Sequence, residues 1–174
     1  KWLKINSKKI LKDRDPSALK SAVYKSCKIK LYFVNKDLKE KNTRMILNFG
    51  HTFAHAIEAQ SKFSGKINHG EAVLMGMLMA AKLSSIKKIC PNRVLPELLR
   101  IYEESNLISK FNKFFRKKNS IKIIRFMAND KKNNDKKINL ILLKDIGKTT
   151  KPGNFKLSTQ EIKKYFPKLS NFDL

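Results

Sequence analysis

Residues 70–88 read GEAVLMGMLMAAKLSSIKK. Until the closing lysines, only Glu71 and Lys82 carry charge. A helix that is apolar almost all round belongs in the middle of a core. Gly76, Ala80 and Ala81 keep its surface smooth, and Met75, Met77 and Met79 fill irregular gaps. The segment is therefore expected to be the central core helix. No apolar run in the chain approaches the roughly 20 residues that span a bilayer, so no membrane partner is expected.

Helical patterns surround this stretch. Residues 15–36, DPSALKSAVYKSCKIKLYFVNK, open with Asp15 as N-cap and Pro16 at the first helical position. Leu19, Val23, Cys27 and Leu31 recur every four residues, and Ala22, Ile29 and Phe33 widen the stripe. DLKEKNT (37–43) is turn-like, and Asn42 is the residue there that best tolerates a left-handed backbone. Residues 44–60 read as a helix containing Gly50, at a cost of about 1 kcal/mol against alanine. A close backbone approach by a metal, a ligand or another helix would explain that glycine. Further helices are expected over 92–104 and after Ser120, with a loop or short helix between. INLILL (138–143) reads as a strand broken by Gly147, with GNFKLS (153–158) pairing back on it antiparallel. Ser158 and Glu161 form a capping box for a short final helix. The expected fold class is mainly α: one helical domain over 1–174 with a small antiparallel β-hairpin near the C-terminus.

The N-terminal KWLKINSKKILKDRD is basic but lacks the apolar core of a signal peptide. It also lacks a starting Met, so the chain is expected to be a fragment with an upstream part missing. Cys27 and Cys90 fit no paired-cysteine spacing and are expected to be reduced core residues in a cytoplasmic protein. The formal net charge is +25, a value that raises nucleic-acid binding. Yet 33 of the 39 cationic side chains are lysine and only 6 are arginine, spread along the chain. Arginine is the residue suited to bidentate base and phosphate contacts, so no specific nucleic-acid partner is expected.

All three histidines, His51, His55 and His69, fall within 19 residues. His51 and His55 lie four apart, and on a helix such positions share a face about 5–6 Å apart at Cβ. Two imidazoles there can meet one metal ion or anion. HTFAH has the spacing of a metalloprotease HExxH motif, but Thr52 stands where the glutamate belongs, which disfavours that chemistry. His69 precedes Gly70 and Glu71 at the start of the core helix. Zinc in catalytic sites takes three protein ligands plus water or substrate. Glu58 and Glu71 are candidates for direct ligation or for acceptors that fix a histidine tautomer. Spacing does not say which histidine does what.

The blocks RMILNFGHTFAHAIE (44–58) and HGEAVLMGM (69–77) closely resemble the 3-dehydroquinate synthase family. The family pattern runs R-x-x-L-N-x-G-H-[TS]-x-G-H-A-I-E and then H-G-E-A-V-x-x-G-M. Ala54 replaces the usual glycine between the histidines. CKIKLYFVNKDLKE (27–40) resembles the family's helix end and D-E-x-E segment, with Leu38 for the first glutamate and Asn42 where glycine is usual. MANDKKNNDKKINLILLKDIG (127–147) resembles its late D-K-K turn and hairpin.

The resemblance implies roles. His51 and His69 are similar to two ligands of a zinc (or cobalt) ion whose third ligand, a glutamate, lies upstream. His55 matches a histidine that assists proton movement at the substrate phosphate, and Asn48 and Lys131 match further contacts there, Lys132 being the adjacent alternative. Lys30 and Arg44 match groups that bind a carboxylate. The implied substrate is 3-deoxy-arabino-heptulosonate 7-phosphate, an acidic sugar phosphate, converted to 3-dehydroquinate and phosphate in the shikimate pathway. The family's NAD is bound mainly by an N-terminal α/β domain that this chain does not contain, so no residue here is assigned to it. The chain is thus expected to be the C-terminal lobe, inert alone and part of a homodimer when complete. Rival expectations are a related sugar-phosphate cyclase and a non-catalytic basic helical module.

Overall fold

The computed structural model describes residues 2–61, 67–104, 107–115, 120–128 and 137–172. Its helices are α1 (Trp2–Leu11), α2 (Pro16–Lys36), α3 (His51–Gln60), α4 (His69–Ile86), α5 (Val94–Glu104), α6 (Leu107–Phe114), α7 (Ser120–Ala128) and α8 (Thr159–Leu169). A short 3-10 segment, Thr43–Asn48, precedes α3. Four short strands follow α7: β1 (Lys137–Asn139), β2 (Leu143–Asp145), β3 (Lys148–Thr149) and β4 (Lys156–Ser158). The mainly α class expected from the sequence is the class observed.

Helix α4 is the core element its composition dictates, with Met75, Leu78, Met79 and Leu83 wholly buried. It starts with a capping box in which Asn68 accepts from the Glu71 N–H and Glu71 accepts from the Asn68 N–H. Helices α3, α5 and α8 pack on α4, and α7 packs on α3. Phe53 and Ile57 of α3 and Ile123 and Met127 of α7 complete that layer, all fully buried. An aromatic cluster of Phe111, Phe115, Phe166 and Phe172 closes the far end, and the chain after α8 is pinned by the Phe172 N–H donating to Asn112 Oδ1 at 3.1 Å.

Gly50 is not inside a helix. The expected helix over 44–60 divides into the 3-10 segment and α3, with Gly50 as N-cap of α3 at φ +82°. A Cβ at Gly50 would lie 2.5 Å from the Met77 backbone nitrogen, and one at Gly76 would lie 2.2 Å from the Gly50 carbonyl oxygen. Of the three explanations for this glycine, another helix is the one found: α3 and α4 touch backbone to backbone here.

Other departures have local causes. Within residues 1–15, expected only as a basic segment, Trp2–Leu11 form α1, whose Trp2 ring lies under the Lys25 ammonium of α2 at 5.3 Å. Helix α2 is capped as expected, with Asp15 accepting from the Ala18 N–H at 2.7 Å. Its apolar stripe, however, is open: Leu19, Val23 and Leu31 are exposed, and so is Cys27, which was expected in the core. Cys90 is buried. INLILL is not one strand. β1 pairs antiparallel with β4, Ile138 opposite Leu157, while β2 pairs with β3 around left-handed Gly147. Leu142 and Leu143 are both buried, and successive buried side chains break a strand's period of two. Among the described residues no helix is long and apolar enough to cross a membrane.

Candidate metal and anion site

The turn after α2 builds one wall of the site. Asp37 accepts from three backbone N–H groups, those of Lys41 (3.1 Å), Asn42 (2.7 Å) and Arg44 (3.1 Å). Partial burial pushes its carboxyl pKa up, but those bonds outweigh it and hold the group below its usual range. The left-handed residue in this turn is Glu40 (φ +50°), not Asn42, which sits at φ −138°. The strained conformation aims the Glu40 carboxylate at Asn48, whose Nδ2 donates to it at 2.7 Å. Arg44 lies 3.4 Å from the same carboxylate and donates to the Leu38 carbonyl at 3.0 Å.

The imidazoles come from two helices. His51 opens α3 directly after Gly50, and His55 follows one turn on, their ring centroids 5.8 Å apart. His69 opens α4, and its centroid lies 5.6 Å from that of His51 with the planes tilted by 59°. Glu58 of α3 meets His69 Nδ1 at 3.0 Å. In a neutral ring that bond requires the proton on Nδ1 and leaves Nε2 as the electron-pair donor. Of the two candidates, Glu58 is thus the one within hydrogen-bond reach of a histidine ring, whereas Glu71 is engaged in the capping box.

The donor set can be tested against a metal ion. A zinc–nitrogen bond of about 2.0–2.1 Å puts the ion about 3.2 Å from a ring centroid, so two rings at a tetrahedral angle have centroids about 5.2 Å apart. The observed 5.6 Å is within a small rotamer adjustment of that value. Among the described residues no group of three or more His, Cys, Asp or Glu side chains is arranged to hold a metal, so a third donor would have to come from elsewhere.

Two adjoining recesses meet at these residues. One, of about 480 Å³, is lined by Asn48, His51, Thr52 and His55 against Asn139 and Gly153. The other, of about 450 Å³, is lined by Lys30, Arg44, Asn48 and His51. The expected residues Lys30, Arg44, Asn48, His51 and His55 thus share one continuous cleft, with His69 beside His51. Lys131 and Lys132 lie outside the described residues. Glu40, which lines both recesses, carried no assigned role in the sequence reading; its place in the DLKE segment was the available signal. Thr52, in the position of the missing HExxH glutamate, ties α3 to the strand region by donating to the Asn139 carbonyl at 3.0 Å.

The helical arrangement of this lobe is a fold also found in solved structures. Two structures of 2-deoxy-scyllo-inosose synthase align with TM-scores of 0.63 and 0.58, at 24% and 23% identity, over 76% of this chain and 37% and 34% of theirs. The first is a complex with carbaglucose-6-phosphate, NAD+ and Co2+. The family model for the 3-dehydroquinate synthase C-terminal part matches residues 1–133. The 3-dehydroquinate synthase of Pelagibacter ubique is 47% identical over 84% of this chain, and that of Endomicrobium trichonymphae 44% over 76%. The chain belongs to the 3-dehydroquinate synthase family. It spans 39% and 36% of the length of those two relatives.

Proposed function

We propose that this chain is the metal- and substrate-binding lobe of an enzyme that converts 3-deoxy-arabino-heptulosonate 7-phosphate to 3-dehydroquinate and phosphate, a step toward aromatic amino acids in the cytoplasm. The observation that carries the reading is the pair of adjoining recesses, with Lys30 and Arg44 in one, His55 in the other, and Asn48 and His51 lining both. A substrate with a carboxylate and a phosphate at opposite ends is complementary to it.

In this reading Lys30 and Arg44 bind the carboxylate. The Arg44 head is already held by Leu38 and Glu40, so little side-chain freedom is lost on binding. Asn48 orients the phosphate end, and His55, exposed on the cleft wall, moves a proton there. His51 and His69 hold a divalent ion, zinc or cobalt, with Glu58 fixing the His69 tautomer. That ion, when bound, supplies Lewis acidity to substrate hydroxyl and carbonyl groups. The complete protein adds an upstream domain that binds NAD, contributes the third metal ligand and forms a homodimer. No membrane or specific nucleic-acid partner enters this reading. Lys30 with Arg44 favours a carboxylated substrate over that of a related cyclase.

The test is phosphate release by the complete protein. Release from the heptulosonate phosphate but not from glucose 6-phosphate is expected, with Arg44→Ala raising KM and His55→Ala lowering kcat. Equal turnover of glucose 6-phosphate would contradict the assignment. Residues 1–174 alone, given NAD and zinc, are expected to show no turnover.

A further inference from the structure

A third recess lies on the other side of the turn that walls the cleft. Its volume is about 370 Å³, and Lys41, Lys144, Lys151, Thr43, Thr149 and Thr150 line it, with no acidic residue among its lining. We infer that this recess is an accessory binding site for a small phosphate-class oxyanion, separate from the histidine cleft.

Lysine on a surface this basic is no argument by itself, so the surroundings decide. The nearby carboxylates are committed elsewhere. Asp37 is spent on three backbone N–H groups, Glu40 on Asn48 and Arg44, and Asp145 on a two-oxygen contact from Arg93 Nη2 at 2.6 and 2.7 Å. Among the described residues none of the three lysine ammonium groups makes an ion pair. Thr150 is the second observation. It is 8% exposed, and its Oγ1 accepts from the Leu142 N–H at 3.0 Å. Its hydroxyl proton has no acceptor among the described residues, and Thr150 is one of the residues that line the recess. A buried donor without an acceptor beside three uncompensated cations is complementary to an anion. Ammonium groups act as point charges rather than planar forks, which suits a tetrahedral oxyanion better than a carboxylate.

Position gives the site a consequence. Pro152 lines both this recess and the histidine cleft. It sits in a turn closed by the Asn154 N–H donating to the Lys151 carbonyl at 3.2 Å. An anion held by Lys41 and Lys151 would fasten that turn to the segment before α3, fixing the wall of the cleft.

The experiment is a titration of the 15N-labelled chain with inorganic phosphate at pH 7.5, with sodium chloride balancing ionic strength. Saturable shifts are expected at the Thr43, Thr149 and Thr150 amides. The exposed-residue variant Lys41→Met/Lys151→Met should weaken this response about tenfold or more, while Lys163→Met/Lys164→Met on α8 leaves it unchanged. Cleft binding is read separately at Asn48 and His51, so loss of one response does not imply loss of the other. A parallel titration with glucose 6-phosphate tells free phosphate from a phosphomonoester; a recess response to either supports the site. Shifts reproduced by chloride alone, shifts confined to the cleft, or equal affinity in the Lys41/Lys151 variant would overturn it.

Discussion

Replacing Gly76 by alanine tests the helix crossing that brings the histidines together. The new Cβ would sit 2.2 Å from the Gly50 carbonyl oxygen and 3.0 Å from the Ala54 nitrogen. Both neighbours are backbone, so no side-chain rotation relieves the contact, and the helices must separate by about 1 Å to restore van der Waals distance. Overpacking of this kind costs about 1–3 kcal/mol, with the backbone clash placing it at the upper end. Alanine returns about 1 kcal/mol through helix propensity. The net expectation is a loss of about 1–2 kcal/mol in urea unfolding, or about 2–8 °C in Tm for a chain of this size. Gly70→Ala in the same helix is the control. Its Cβ would meet only Asn68 Oδ1 at an ordinary 3.5 Å, so it should be neutral or stabilising by up to about 1 kcal/mol. If Gly76→Ala behaves like Gly70→Ala, the backbone contact between α3 and α4 is wrong.

Three further outcomes follow from individual contacts. Phe172→Ala, which empties a site 1% exposed within the aromatic cluster, should destabilise by about 3–5 kcal/mol in calorimetry. Glu58→Ala removes the acceptor from His69 Nδ1 and should weaken Co2+ affinity about 10–100-fold without changing far-UV circular dichroism. Asp37, Asp145 and Glu161 all hold their protons less tightly in the folded protein than at their usual 3.8, 3.8 and 4.5. Their contribution to stability is therefore complete above those values and lost as pH falls through the lower folded ones; unfolding midpoints measured from pH 6 to pH 2 should drop on the acid side, less steeply in Asp37→Asn.

What the sequence disclosed was what repeats or caps. The all-round apolar pattern of α4, the Asp15 and Ser158 caps and the four-residue histidine spacing follow from local chemistry, and each is found where expected. Gly50 declared a close approach without naming the neighbour, because the neighbour is Met77, distant in sequence. The break at Gly50 escaped periodicity because the apolar spacing continues across the 3-10 segment. Leu19, Val23 and Leu31 have the spacing of a buried face, yet periodicity states only that residues share a side, not that anything covers it. Glu40 was hidden for another reason: its role depends on a left-handed turn organised by Asp37, and no spacing rule predicts that conformation for glutamate. Likewise, choosing between Glu58 and Glu71 required knowing that Glu71 caps its own helix.

The most direct measurement is a Co2+ titration of the chain, followed by visible absorption and calorimetry, with each histidine replaced in turn. One ion per chain is expected, bound weakly with two protein imidazoles. His51→Ala and His69→Ala should each abolish the bound-ion spectrum, and His55→Ala should retain it. Binding that survives loss of His69, or that depends on His55 in its place, would contradict the assignment of the paired imidazoles to one metal ion.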